Sequence, residues 1–277
     1  MDKILLVVDQ SINAGDQLEQ AFRMAREHNA VLTGLFVQDL TLVDYYTVLG
    51  GEPVYYEHTF EIIKESLNES EKKTVQNINY FVEQCKNAGV RFKVHFQKGD
   101  PVSELVNESR YADLMLMGYH AYNTLSMEGD QQLVKDMLSK SRCPMLLLPE
   151  KGYNPDGVVL CYDGSDSSLR AIEAFYHNFR PKCKDWPVYF VRVFDKNVEA
   201  DAIDGSLIEL LQLRFNQLQL VDLHGKPKDE IPYFAGQKGN MLVVMGAYGG
   251  SGIARFFSGS TADHILRTGN LLTYITH

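Results

Sequence analysis

The feature that most constrains this chain is an internal duplication. "ILLVVDQS" (Ile4 to Ser11) reads like "VVLCYDGS" (Val158 to Ser165): an apolar run ends in Asp and a polar turn follows. "TGLFVQD" (Thr33 to Asp39) pairs with "YFVRVFD" (Tyr189 to Asp195), and "LMLMG" (Leu114 to Gly118) with "LVVMG" (Leu242 to Gly246). "PMLLLP" (Pro144 to Pro149) pairs with the terminal "LLTYIT" (Leu271 to Thr276). Four matches in the same order are the mark of a repeat architecture. The 277 residues are long for one domain and comfortable for two. The sequence therefore predicts two homologous domains, 1–150 and 151–277, joined at "PEKGYNPDG", where Pro and Gly break any regular element.

Each half alternates strand and helix patterns. The strands are short and rich in Val, Leu and Ile, as expected when both faces of a sheet are covered. Leu169, Ile172, Phe175 and Phe179 recur at helical spacing, and Leu18, Phe22 and Met24 do the same in the first half. This predicts an open, mostly parallel α/β sheet, written twice. The first half carries extra material between its second and fourth strands. It comprises "DYYTVLGGEPVYYEHTF", tyrosine-rich from Tyr45 to Tyr56, and then a long helix through Ile63, Leu67, Thr74, Ile78, Val82 and Cys85. The insertion reads as a loop packed on its own domain, with a partner surface as the alternative.

Net charge is -9 and the sequence pI is about 5.4. A general nucleic-acid or anionic-membrane binder uses clustered Lys and Arg, which this balance argues against. No apolar run reaches the ~18 residues of a membrane span. "MDKILLVVDQ" lacks the features of a secretory signal. Cys85, Cys143, Cys161 and Cys183 show no CxxC spacing and read as buried free thiols in a reducing cytoplasm. The eight histidines show no metal-ligand spacing.

Ligands of open parallel sheets bind beyond the carboxyl ends of the strands, where the strand order reverses. The first strand of the second half ends at Asp163 and the fourth at Gly246, so the two are expected to face one crevice. Gly246 and Gly249 are separated by two residues; after nine more come Gly259 and Ser260. Glycine lets a ribose or phosphate approach the main chain with no Cβ in the way. Ser260 stands where an N-cap should, with Asp263 three residues on, so a helix starting there offers free N–H groups to an anion. Ser260 and Thr261 add hydroxyl donors. Asp163 offers an acceptor suited to an exocyclic amine such as that of adenine.

The pattern G-x-x-G, nine residues, G-S resembles the nucleotide-binding signature of the universal stress protein family. "MGAYGGSGIARFFSGST" follows its skeleton, and "DGSDSSLRAIEAF" looks like its first strand-to-helix turn. The resemblance covers both halves. It implies a five-stranded, Rossmann-like parallel sheet per domain, with ATP, ADP or AMP in the crevice and Mg²⁺ as a companion ion. Carried over by position, Asp163 contacts adenine, Val193 lines its pocket, and Gly246 and Gly249 lie under the ribose and phosphates. Gly259, Ser260 and Thr261 hold the phosphate tail. Gly250 departs from a basic position of many members, and Arg255 matches another.

The first half keeps Asp9, Val37 and Gly118, but Ala121 replaces the second glycine and Gln131-Gln132 falls on Gly259-Ser260. One nucleotide per chain, in the second domain, is the expectation. No Walker lysine and no Ser-His-Asp or Cys-His set can be defended from spacing. A stress-response or signalling module is thus the leading reading. A slow ATPase, an adenylate-transferring enzyme and a nucleotide-free scaffold stay open beside it. The duplication also suggests an internal pseudo-dimer through the last strands, with a homodimer of chains as a further option.

Overall fold

The structure is a computed structural model that describes residues 1–8, 15–39, 57–119, 138, 140–149, 154–247 and 271–276. Among these, packing divides the chain into two compact units, 1–142 and 143–277.

In the first unit, β1 (Lys3–Val8), β2 (Val31–Asp39), β3 (Phe92–Gly99) and β4 (Leu114–Gly118) form a parallel sheet in the order β3-β2-β1-β4. The connecting helices are α1 (Gly15–His28), α2 (Glu57–Asn87) and α3 (Pro101–Ser109). Parallel neighbours need such crossovers, because a strand cannot turn back on itself and stay parallel. On α1 the buried face is Leu18, Ala21, Phe22, Met24 and Ala25. On α2 it is Thr74, Phe81 and Cys85, one residue from the expected Val82. Phe81 explains the register: its ring covers Gly34 of β2, where an added Cβ would lie 2.8 Å from it. It also meets Phe36 and Phe92 edge-on. Helix α3 begins where Asp100 accepts a hydrogen bond from Ser103 N at 2.8 Å, with Pro101 at the first position; this is a favoured helix start.

The second unit contains β5 (Met145–Leu148), β6 (Gly157–Cys161), β7 (Pro187–Phe194), β8 (Gln217–His224), β9 (Met241–Gly246) and β10 (Leu272–Thr276). Their order is β5-β10-β9-β6-β7-β8. All pairs are parallel except β5 with β10, where Leu146 lies opposite Tyr274. Thus the strand that closes the first half of the sequence packs against the strand that closes the second. The helices are α4 (Asp166–Phe179), α5 (Gly205–Arg214) and α6 (Pro227–Lys238). Helix α4 buries Ala171, Ile172, Phe175 and Phe179, while Leu169 is half-buried. Phe175 and Phe179 close on Tyr274 of β10, whose hydroxyl accepts a hydrogen bond from Asn178 Nδ2 at 3.0 Å. By chain order each half contributes five strands, as the α/β reading expects. No helix among the described residues is long and apolar enough to cross a membrane. All four cysteines are buried and outside any disulfide.

Candidate functional site

In the second unit β6 lies between β7 and β9. The chain leaves β6 towards β7 on one side and has β9 on the other, which makes the β6/β9 seam a reversal of strand order. Register fixes what meets there. Cys161 pairs with Val191 and Leu160 with Val244. Tyr162 N still donates to Val191 O beyond the strand, and the same register carried two residues on sets Asp163 opposite Val193 and Tyr162 opposite Gly246. The structure thus brings Asp163, Val193 and Gly246 to the carboxyl ends of three adjacent strands. Gly249, Gly259, Ser260 and Thr261 lie outside the described residues, as do Arg255 and the tyrosine-rich stretch from Tyr45 to Tyr56.

The turn after β6 is built from its own polar groups. Asp163 Oδ1 accepts from Ser165 N at 3.1 Å and from Ser165 Oγ at 2.6 Å. Ser165 Oγ in turn accepts from Ser168 N at 3.2 Å, which caps α4. Gly164 between them has φ +82°, a conformation that an L side chain resists. So Ser165 is the cap and Asp163 its brace. That leaves the second carboxylate oxygen. Asp163 Oδ2 is buried and has no hydrogen-bond partner among the described residues. Ser167 Oγ, in a residue only 2% exposed, is likewise buried and without a partner among the described residues. Polar atoms in such positions ordinarily find partners, so each exception calls for one.

Gly246 is explained by packing. A Cβ there would lie 2.5 Å from Ser167 Oγ and 2.7 and 2.8 Å from the Ser167 carbonyl carbon and oxygen. Its bare main chain lets the amino end of α4 dock on β9, which carries Asp163, Ser165 and Ser167 to the seam. Val193 is half-buried, beside Arg192, whose guanidinium is paired with Asp222. Burial pushes the Cys161 thiol up to about 12, and Asp163 adds to this. Desolvation also raises the Tyr162 hydroxyl, with Asp163, Asp204 and Asp166 raising it further and Arg192 opposing. The described rim is therefore rich in carboxylates. Among the described residues no group of three His, Cys, Asp or Glu side chains is arranged to hold a metal ion.

The first unit repeats the frame with different side chains. Gly118 ends β4 as Gly246 ends β9, and the α1 residue facing it is Gln17. An added Cβ at Gly118 would lie 2.5 Å from both terminal atoms of that amide. The next residue is Tyr119, 2% exposed, where the second unit has Ala247. Sequence reasoning did not single out Gln17 or Tyr119, because their equivalence to Ser167 and Ala247 emerges only once helix and strand are docked. Asp9, Ala121, Gln131 and Gln132 lie outside the described residues; Val37 is half-buried near the end of β2.

The universal stress protein family model matches residues 1–149 and again 156–271. Among curated proteins no sequence matches. Of solved structures, a universal stress protein from Archaeoglobus fulgidus is 18% identical, with a TM-score of 0.64, over 99% of this chain and 96% of its own. A functionally unknown protein from Pseudomonas aeruginosa is 14% identical, with a TM-score of 0.54, over 100% of this chain and 92% of its own. Identities this low speak to the fold alone.

Proposed function

Because this chain belongs to the universal stress protein family, we propose that its second repeat, 151–277, binds one adenine nucleotide, ATP first among ATP, ADP and AMP. The observation that carries the reading is the buried Oδ2 of Asp163, which has no partner among the described residues. Leaving such an acceptor unsatisfied costs about 1–3 kcal/mol. An exocyclic amine entering beside Val193 would supply the missing donor, and adenine carries one. The neighbouring Ser167 Oγ is a second polar atom in need of a partner. Asp163 and Val193 would thus hold the base, and Gly246 shapes the floor by seating α4. Gly249, Gly259, Ser260 and Thr261 are assigned to the ribose and phosphates by their spacing. Mg²⁺ would accompany the triphosphate and balance charge near a carboxylate-rich rim.

The first repeat, 1–150, is proposed not to bind. Gln17 and Tyr119 place bulk where the second repeat has Ser167 and Ala247, adding to Gln131-Gln132 in the sequence. The biological reading is a stress-response or signalling module whose occupancy alters shape or partner choice. The cytoplasm is its proposed compartment, where free thiols persist in the reduced state. Pairing of β5 with β10 supports joining of the terminal strands within one chain; association of whole chains would be read by sedimentation equilibrium.

Equilibrium titration with ATP should show one site per chain. Asp163→Asn keeps the size but turns a donor towards the amine, and should weaken binding by about tenfold or more, the effect of one lost charged hydrogen bond. Two equivalent sites, or no binding by the wild type, would sink the reading. Turnover beyond one equivalent with ATP and Mg²⁺ would redirect it to an ATPase or adenylate-transferring enzyme.

A further inference from the structure

Arg192 has no counterpart in the first repeat, where Phe36 stands at the matching strand position. It is 9% exposed and sits one residue before Val193. Its register partner across the β7–β8 pair is Asp222. Nε donates to Asp222 Oδ1 and Nη2 to Oδ2, both at 2.8 Å. This is the two-pronged geometry that a planar guanidinium offers a carboxylate and an ammonium does not. The third nitrogen, Nη1, turns the other way, donating to the Asp201 carbonyl oxygen at 2.9 Å and to Asp201 Oδ1 at 3.3 Å. The guanidinium carbon also lies 5.0 Å from the centre of the Phe194 ring.

Asp201 belongs to the segment between β7 and α5. Residues 195–202 of that segment are exposed; of its two large apolar side chains Val198 is 49% exposed and Ile203 is half-buried. Apolar burial therefore holds it only beside α5, at Ile203. It is fixed at one end by Asp204, which caps α5 by accepting from Ser206 N at 2.7 Å, and in its middle by Arg192. The segment starts directly after the strand end that carries Val193, and Val193 is level with Asp163. A guanidinium anchored to Asp222 thus holds the wall that follows the base-side strand.

We propose that Arg192 is a positioning residue for the nucleotide site, holding the 195–204 segment against the β7–β8 edge so that the main chain around Val193 meets the base in one geometry. Arg192 itself touches no ligand in this account; its buried guanidinium is spent on Asp222 and Asp201. The proposal rests on the nucleotide-binding reading above, and its test separates the two.

The test measures amide hydrogen exchange of the full chain without ligand, and ATP affinity by calorimetry, for the wild type and for Arg192→Met, Arg192→Lys and Asp222→Asn. Exchange should accelerate in 195–204 while the rest of the second unit stays protected. ATP affinity should fall by about tenfold, the equivalent of about 1.4 kcal/mol, with one site per chain retained. Arg192→Lys should behave like Arg192→Met, because charge without the planar fork cannot bridge both partners; it also serves where Arg192→Met does not fold. Unchanged exchange in 195–204 would overturn the proposal, as would faster exchange with unaltered ATP affinity. A wild type that binds no ATP would instead sink the nucleotide reading itself, whatever the exchange pattern.

Discussion

Gly118 and Gly246 end equivalent strands and face equivalent helices, yet they answer to different neighbours. A Cβ at Gly246 would press on the main chain of Ser167, which α4 holds in place. A Cβ at Gly118 would press only on the far end of the Gln17 side chain, which can swing away. Gly246→Ala should therefore cost about 2 kcal/mol, within the range for overpacking a fixed core. Gly118→Ala should cost less than about 1 kcal/mol, as one rotamer adjusts. Urea unfolding of the two variants checks this, and equal costs would show that α4 is not seated as described. Sequence alone could read either glycine as room for a ligand. Only docking shows that the space at Gly246 is taken by the first turn of α4.

At the scale of elements, the α4–β10 contact offers a clean measurement. Tyr274 is fully buried, its ring is met by Phe175 and Phe179, and its hydroxyl accepts from Asn178. Tyr274→Phe removes the acceptor alone and leaves Asn178, which is half-buried, to find water; a loss of about 1 kcal/mol follows. Tyr274→Ala removes the ring as well and should cost about 3–5 kcal/mol, as aromatic deletions in cores do. Thermal unfolding of the two variants reads the difference; near-equal losses would show that the ring packing contributes little. The same contact shows which elements were legible in the sequence. Strands β1, β4, β6 and β9 are buried nearly throughout and therefore read as unbroken apolar runs. The third strand of each half, β3 and β8, has one neighbour among the described strands and no fully buried residue, with three of eight residues exposed in β3 and five of eight in β8. "FKVHFQKG" and "QLQLVDLH" accordingly blur into the polar stretches around them. Of the glycine motif only Gly246 lies among the described residues, and its packing on Ser167 is what the spacing did not reveal. The bracing of Ser165 by Asp163 and the anchoring of 195–204 by Arg192 were not legible, because each joins residues through geometry that no periodicity encodes.

For the whole chain, the buried acids of the two units set an unequal response to alkali. Burial pushes the Cys85 thiol up to about 12 in the first unit. In the second unit it pushes both Cys161 and Cys183 up to about 12 and raises Tyr162 and Tyr274 as well. A thiol near 9 when unfolded and near 12 when folded keeps its proton only in the folded state between those values. The folded state then binds more protons, and stability must fall as pH rises through that window. Each such group contributes about 1.4 kcal/mol per pH unit. Among the described residues with raised thiols, Cys85 gives the first unit the slope of one proton from pH 9 to 11, and Cys161 and Cys183 give the second the slope of two. The single tryptophan, Trp186, lies in the second unit and reports on it alone, whereas far-ultraviolet circular dichroism reports on both. In urea titrations across that range the Trp186 fluorescence midpoint should drop faster with pH than the dichroism midpoint. Equal slopes from the two probes would mean that the thiols of the second unit titrate freely, or that the two units unfold as one. Replacing Cys161 and Cys183 by Ala separates these outcomes: it should flatten the fluorescence slope only if the buried thiols set it.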